Sequence, residues 1–362
     1  MPSVLDRRLI VVTGKGGVGK TTLSAAIGLL AARRGRRTIV LELSGAGSDA
    51  GAAGRLAALL GHAEPPAHGH EVQLAPDLWG LSIDRDRVLA EWLRALGGRV
   101  PARVLTSSST FQYLIAAAPG AREMISMVKV WELAQDRRPG ARRQSRDEAN
   151  SAGDVSPTGE PRPRATSGGD YDLVVLDAPA TGHALALLRS PQMFSAIARV
   201  GPIARQARQV RELLEDPALS AYLGVTHATE MATSETIELQ ENLRSELGRE
   251  LDAVLVNGSL PRRFEQDELR QLAALGDEVQ SPQQPKAPPR RPVGEPTSSS
   301  ALMARSASRA ALAVHTRARA QRGQIARLRR RGVAVITVPF SFQAELDLDA
   351  VQRIADRLER SL

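Results

Sequence analysis

Residues 12–22 read VTGKGGVGKTT, and Gly14, Gly19, Lys20 and Thr21 within them satisfy the pattern G-x-x-x-x-G-K-[ST]. Glycines at 14, 16, 17 and 19, with Val18 between the last two, let the chain turn so that successive amide N–H groups point at one anion. A helix opening at Thr21 adds the positive end of its dipole. In such a cradle Lys20 reaches the β- and γ-phosphates of a nucleotide and Thr21 offers a hydroxyl to Mg2+, with Thr22 completing the contacting set. A second lysine, Lys15, stands at the outer tip of the loop, where its side chain has little room to curl back onto phosphates held by the same subunit. It is either a solvated loop lysine or one that reaches elsewhere. A candidate metal carboxylate, Asp177, closes an apolar run at residues 172–177, from which it could hold a Mg2+ shell through water or merely cap the next turn.

These residues need a scaffold. Buried-strand patterns occur at residues 8–12, 37–43, 78–83, 172–177, 223–228, 252–257 and 333–338. Helical patterns cover residues 21–34, closing at Gly35, and 86–96, 122–135, 234–247 and 345–362. Strands apolar on both faces and alternating with helices predict an α/β fold: a doubly wound, mainly parallel sheet with helices on each side. The chain is expected to be one domain over residues 1–362, with residues 84–135 as a small helical subdomain. Residues 137–170, rich in Arg, Pro, Ser, Gly and acids, read as a disordered loop. Residues 281–300 read the same way, inside a basic, partly disordered insertion at 280–331 whose later part, 305–331, can be helical.

The charge is unevenly placed. The 362 residues carry a net +8, but residues 280–331 hold twelve basic side chains and one acid, a net +11, which leaves −3 for the remainder. The high basicity therefore belongs to one segment, expected to act in solvation or in weak polyanion or peripheral membrane contact. Aromatic residues that would stack on bases are absent there, so nucleic-acid reading is disfavoured. The chain has no cysteine, which removes disulfides, thiolate metal sites and a cysteine nucleophile, and agrees with a reducing cytoplasm. No leader pattern opens the sequence and no apolar run approaches the length of a membrane helix, so a soluble, cytoplasmic protein is expected. His62, His68 and His70 lie in a Gly/Pro/Ala-rich stretch and read as loop histidines; Trp79, Trp92 and Trp131 read as core residues. The apolar helix with Met124 and Met127 is either core or the lining of a client groove.

The loop GKGGVGKTT resembles the deviant Walker A of the ParA/MinD/NifH/ArsA superfamily. That resemblance implies that Lys15 crosses a dimer interface to the partner's nucleotide, so that two nucleotides are sandwiched between two subunits. The stretch YDLVVLDAPATGHAL at residues 171–185 narrows it, being similar to the D-T-A-P-T-G-H switch II of the ArsA group, with Asp177, Thr181, Gly182 and His183 in register. This group includes the arsenite-pump and tail-anchored-protein-targeting ATPases. His183 would sense the γ-phosphate or cap the next helix. Supporting similarity lies in residues 225–236, in Val254-Leu-Val-Asn257, in Val338-Pro-Phe340 and in the APG-containing segment at residues 111–123. The resemblance spans about three quarters of the chain. It implies that Asn257 reads the adenine edge, a strand-end turn being its ordinary alternative, and that Pro339 and Phe340 cover the base.

The sequence also departs from that group. Ser44 stands where the D-P-A switch I aspartate would be, and a serine hydroxyl cannot serve as a base at neutral pH, although Glu42 or Asp49 could be recruited. Without cysteine there is no arsenite site and no interfacial zinc site. The resemblance implies an ATP- and Mg2+-dependent ATPase with catalytic Lys15 and Lys20, a homodimer or heterodimer with a paralogue, coupled to an unidentified protein partner or client. Two alternatives stand beside it: a nucleotide-gated binding module with little turnover, and a ParA/MinD-like positioning ATPase.

Overall fold

The computed structural model describes residues 3–44, 53–62, 69–84, 88, 120–135, 171–197, 202–277, 297–343 and 345–362. Eight strands form one sheet: β1 Leu9–Gly14, β2 Thr38–Ser44, β3 Val72–Ala75, β4 Leu78–Asp84, β5 Leu173–Ala180, β6 Ser220–His227, β7 Ala253–Ser259 and β8 Val335–Pro339. Their order is β3-β4-β2-β5-β1-β6-β7-β8, and every neighbouring pair is parallel except the antiparallel β3–β4 edge. All seven expected strands are present. The short β3 is the addition; it has only one buried position, so the hydrophobic run that marked the other strands is missing from it.

Among the described residues the helices are α1 Lys20–Arg33, α2 Ala53–Leu59, α3 Ala121–Ala134, α4 Thr181–Ile197, α5 Pro202–Glu215, α6 Glu230–Leu247, α7 Gln266–Asp277, α8 Thr297–Arg329 and α9 Leu348–Glu359. The ends of α6 follow local chemistry: Thr229 accepts a hydrogen bond from Ala232 N–H at its start, and Gly248 adopts the left-handed conformation at its end. Helices α2, α4, α5 and α7 are not in the sequence-based pattern. Apart from residue 88, the helix expected at residues 86–96 lies outside the described residues, as does the segment 137–170.

Two hydrophobic clusters cover the two faces of the sheet. One gathers alternate residues of the central strands, such as Leu9, Val11, Ile39, Leu41 and Leu176, against α3, α4, α5, α6 and the end of α8. Alternation sends Ile10, Val12, Val40, Leu173 and Val175 to the other face, against α1, α2 and α9. Helix α1 has eleven buried residues and no polar stripe, because it is enclosed by the sheet on one side and α9 on the other. Met124 and Met127 are buried in the first cluster and Trp79 and Trp131 pack against it, so the methionine helix serves the core. Trp92 lies outside the described residues. In α8, Ala318, Ile325 and Leu328 are buried while most of its arginines are exposed.

Candidate nucleotide-binding site

The site forms where β1 gives way to α1, at the carboxyl edge of the sheet, and β1 lies between β5 and β6. Gly14 has φ +152°, and a Cβ there would lie 2.0 Å from the Val225 carbonyl oxygen of β6. Gly19, at φ +90°, is the residue before α1, and its Cβ would fall 2.4 Å from Asn257 Nδ2. Backbone approach at one end and side-chain approach at the other thus exclude any larger residue. Gly16 and Gly17 are exposed at the loop tip, and Val18 is buried beneath it.

Lys20 is the first residue of α1, and its ammonium donates to the carbonyls of Gly14 and Lys15, both at 3.1 Å. It lies across the loop's own backbone, where an incoming phosphate would replace those carbonyls with a stronger, charge-assisted acceptor. Desolvation lowers the Lys20 pKa, and the charge of Asp177 opposes that shift. Thr21 Oγ1 donates to Asp177 Oδ2 at 2.5 Å, and Ser24 Oγ, one turn later on α1, donates to Oδ1 at 3.3 Å. Asp177 is 7% exposed. Burial pushes its carboxyl up, against the Thr21 hydrogen bond, the Lys20 charge and the Ser24 hydrogen bond. Thr22 points into the protein and is buried. A hydroxyl and a carboxylate side by side are hard oxygen donors of the kind Mg2+ takes, so Thr21 and Asp177 fit that ion.

Glu42 joins this group through sheet register. In the β2–β5 ladder it is the partner of Asp177, and the alternation through Val40 and Val175 turns both side chains toward α1. Glu42 Oε2 is buried without a hydrogen-bond partner among the described residues. Its carboxyl is pushed up to about 7, first by burial and then by the charge of Asp177, with Arg55 of α2 pulling the other way. Ser44 ends β2 opposite Asp84 in the β2–β4 ladder. Asp49 lies outside the described residues.

Lys15 turns toward its own subunit. Its ammonium is 2.5 Å from Glu235 Oε1 and 2.9 Å from Met231 Sδ, both on α6. Thr181, Gly182 and His183 form the first turn of α4, which starts directly after β5. His183 is exposed and lies inside the helix, past the position of a cap. At the other side of the loop, Asn257 near the end of β7 donates from Nδ2 to the Val18 carbonyl at 2.9 Å. Pro339 ends β8, and Phe340 after it is 48% exposed. Phe340 meets Phe342 edge-on at 4.9 Å between centroids, and the guanidinium of Arg263 lies 4.8 Å over the Phe342 ring.

The structure therefore gathers Lys20, Thr21 and Asp177 into one cluster, sets Asn257 against the loop, and leaves the Lys15 side chain apart, paired with Glu235 of α6. Sequence reading passed over Ser24 and Glu235. Ser24 was findable, since it lies one turn beyond Thr21 on the same helix; Glu235 required knowing where α6 packs. His62 contacts the Leu74 carbonyl, and among the described residues no group of three or more metal-ligating side chains occurs. Among the same residues no helix is long and apolar enough to cross a membrane.

Comparison with known proteins agrees with this geometry. Residues 7–138 match the sequence profile of the anion-transporting ATPase family. The chain is 27% identical over 280 residues to ATPase BagA of Mycobacterium tuberculosis, covering 74% of this chain and 69% of that protein. It is 25% identical over 259 residues to ATPase get3 of Pyrenophora tritici-repentis, covering 68% and 62%. A 38-residue stretch, 10% of this chain and 14% of the relative, is 55% identical to the septum site-determining protein MinD of Buchnera aphidicola. With a G-x-x-x-x-G-K-T loop joining β1 to α1 in a mainly parallel sheet, this chain is similar in sequence and in architecture to the ArsA-like P-loop ATPases.

Proposed function

We propose that the protein binds and hydrolyses ATP with Mg2+ as a dimeric switch, paired with a second copy or a paralogue, and that hydrolysis governs binding of a protein partner or client. The observation that carries this reading is the Thr21–Asp177–Ser24 cluster at the first turns of α1, beside a lysine lying across an open glycine loop. Backbone amides of residues 16–20 would hold the phosphates, and Lys20 would trade its two carbonyl partners for them. Thr21 and Asp177 would hold the Mg2+, which when bound supplies charge neutralisation at the phosphoryl group. Lys15 would leave Glu235 to stabilise charge at the nucleotide of the other subunit.

The attacking water needs a group to orient it and take its proton. Ser44 cannot, and Glu42 has an unengaged carboxyl oxygen on the face that carries Asp177. Release of phosphate would loosen the turn at Thr181, Gly182 and His183, altering the surface offered by α4. A second reading, a nucleotide-gated binding module with little turnover, is favoured by Ser44 in place of the switch I aspartate. Steady-state phosphate release separates the two. Turnover abolished in Lys20→Ala supports the ATPase, nucleotide binding without turnover in the parent supports the module, and a parent that binds no Mg–ATP at millimolar concentration refutes both.

A further inference from the structure

The strand that carries Asn257 does not end regularly. Pairing of β7 with β8 runs in step through Val256, then slips before Ser259, so that Asn257 and Gly258 form an unpaired step in the ladder. Gly258 sits at φ +69°, and a Cβ there would touch the rings of His227 and Phe340 at 3.6 to 3.7 Å. An irregular step of this kind has backbone groups the sheet does not satisfy, and each must find another partner.

One side chain takes two of them. Gln321, in the last third of α8, accepts from the Leu260 N–H at 2.8 Å and donates to the Gly258 carbonyl at 3.2 Å. Its amide closes a bridge across the step immediately after Asn257, while His227 Nδ1 contacts the Asn257 carbonyl at 3.0 Å from the β6 side. Beyond the step, Phe340 N–H donates to the Ser259 carbonyl and Ser259 Oγ to the Val338 carbonyl. The backbone at Asn257 is thereby held from both sides, which leaves only the freedom of its two side-chain torsions.

That freedom is also taken. Asn257 Nδ2 donates to the Val18 carbonyl of the glycine loop. The flipped amide would set two oxygens against each other, so Nδ2 faces Val18 and Oδ1 faces away from it. Asn257 Oδ1 has no hydrogen-bond partner among the described residues. An acceptor held in one direction suits a base edge that donates, such as the exocyclic amine of adenine, and opposes the carbonyl that guanine carries in the same place.

Resting on the ATP-site reading above, we infer that Gln321 is a positioning residue for the nucleotide base: its bridge between Gly258 and Leu260 holds Asn257 with its oxygen outward, so that a residue of the arginine-bearing helix α8 sets the preference for ATP over GTP. Gln321 touches neither phosphate nor Mg2+ groups. Its loss is therefore expected to weaken base discrimination and leave the phosphoryl chemistry intact.

The test uses the full chain, with Kd for Mg–ATP and Mg–GTP measured by calorimetry and KM and kcat by phosphate release. In Gln321→Leu, two hydrogen bonds worth about tenfold in affinity are lost. ATP affinity should fall by roughly that factor, GTP affinity should change much less, and KM for ATP should rise while kcat stays near the parent value. The isosteric Gln321→Glu keeps the acceptor for Leu260 N–H and loses the donor to Gly258. It should give a partial loss of the ATP-to-GTP ratio, and it carries the test if the leucine variant does not fold. An unchanged ATP-to-GTP ratio in a folded variant overturns the inference, as does an equal fall for both nucleotides, which would mark Gln321 as merely structural. A parent that binds no Mg–ATP is a different result: it removes the nucleotide site itself.

Discussion

Replacing Glu42 by glutamine removes a carboxylate that the fold holds beside another carboxylate. Glu42 and Asp177 are cross-strand partners facing α1, and burial is the larger of the two causes that raise the Glu42 carboxyl to about 7 from its ordinary 4.5. Because the folded value is the higher one, the folded state binds the proton more tightly than the unfolded chain. The resulting stability is fully present below pH 4.5 and is lost as the pH rises through 7. At about 1.4 kcal/mol per pH unit, the shift sets a ceiling of about 3 kcal/mol. Water reaching the partly open side chain reduces the expected effect to about 1–2 kcal/mol. Urea unfolding without nucleotide or Mg2+ should find Glu42→Gln more stable than the parent by that amount at pH 8, and equal to it at pH 4.5. Comparing the two proteins at each pH cancels the titration of every distant group. A difference that does not grow between pH 4.5 and 8, or a variant less stable than the parent at pH 8, would refute the assignment of a strained, unpartnered carboxyl at this position. The same variant should lose turnover if Glu42 takes the proton of the attacking water.

Gly14→Ala forces a Cβ to within 2.0 Å of the Val225 carbonyl and should cost at least about 3 kcal/mol by urea denaturation, since β1 and β6 must part to admit it; a cost below about 1 kcal/mol would contradict the close approach. For the second lysine, Lys15→Ala should keep nucleotide affinity while losing ATP-dependent dimer formation in light scattering, and a variant that dimerises as the parent does rules out a cross-subunit role. Glu235→Gln frees Lys15 from a half-exposed ion pair, so stability should change by no more than about 0.5 kcal/mol while the ATP concentration needed for half-maximal dimerisation falls; a rise in that concentration would show that Glu235 assists the dimer.

The amino-acid sequence determined the parts of this protein that local chemistry controls. A glycine loop between an apolar strand and a helix can be read from eight consecutive residues, because the turn, the dipole and the lysine act over one turn of chain. Buried strands announce themselves as continuous apolar runs, and Asp177 at the end of one was legible for that reason. The four-residue β3 was not, because an exposed edge strand needs no such run. The tertiary structure decided which distant residues share the site. Glu42 meets Asp177 only through the register of β2 on β5, a choice that a slip of one residue would reverse. Glu235 meets Lys15, and Gln321 meets the end of β7, only because α6 and α8 pack where they do. Those contacts depend on geometry summed over the whole sheet, and no short window of sequence contains that sum.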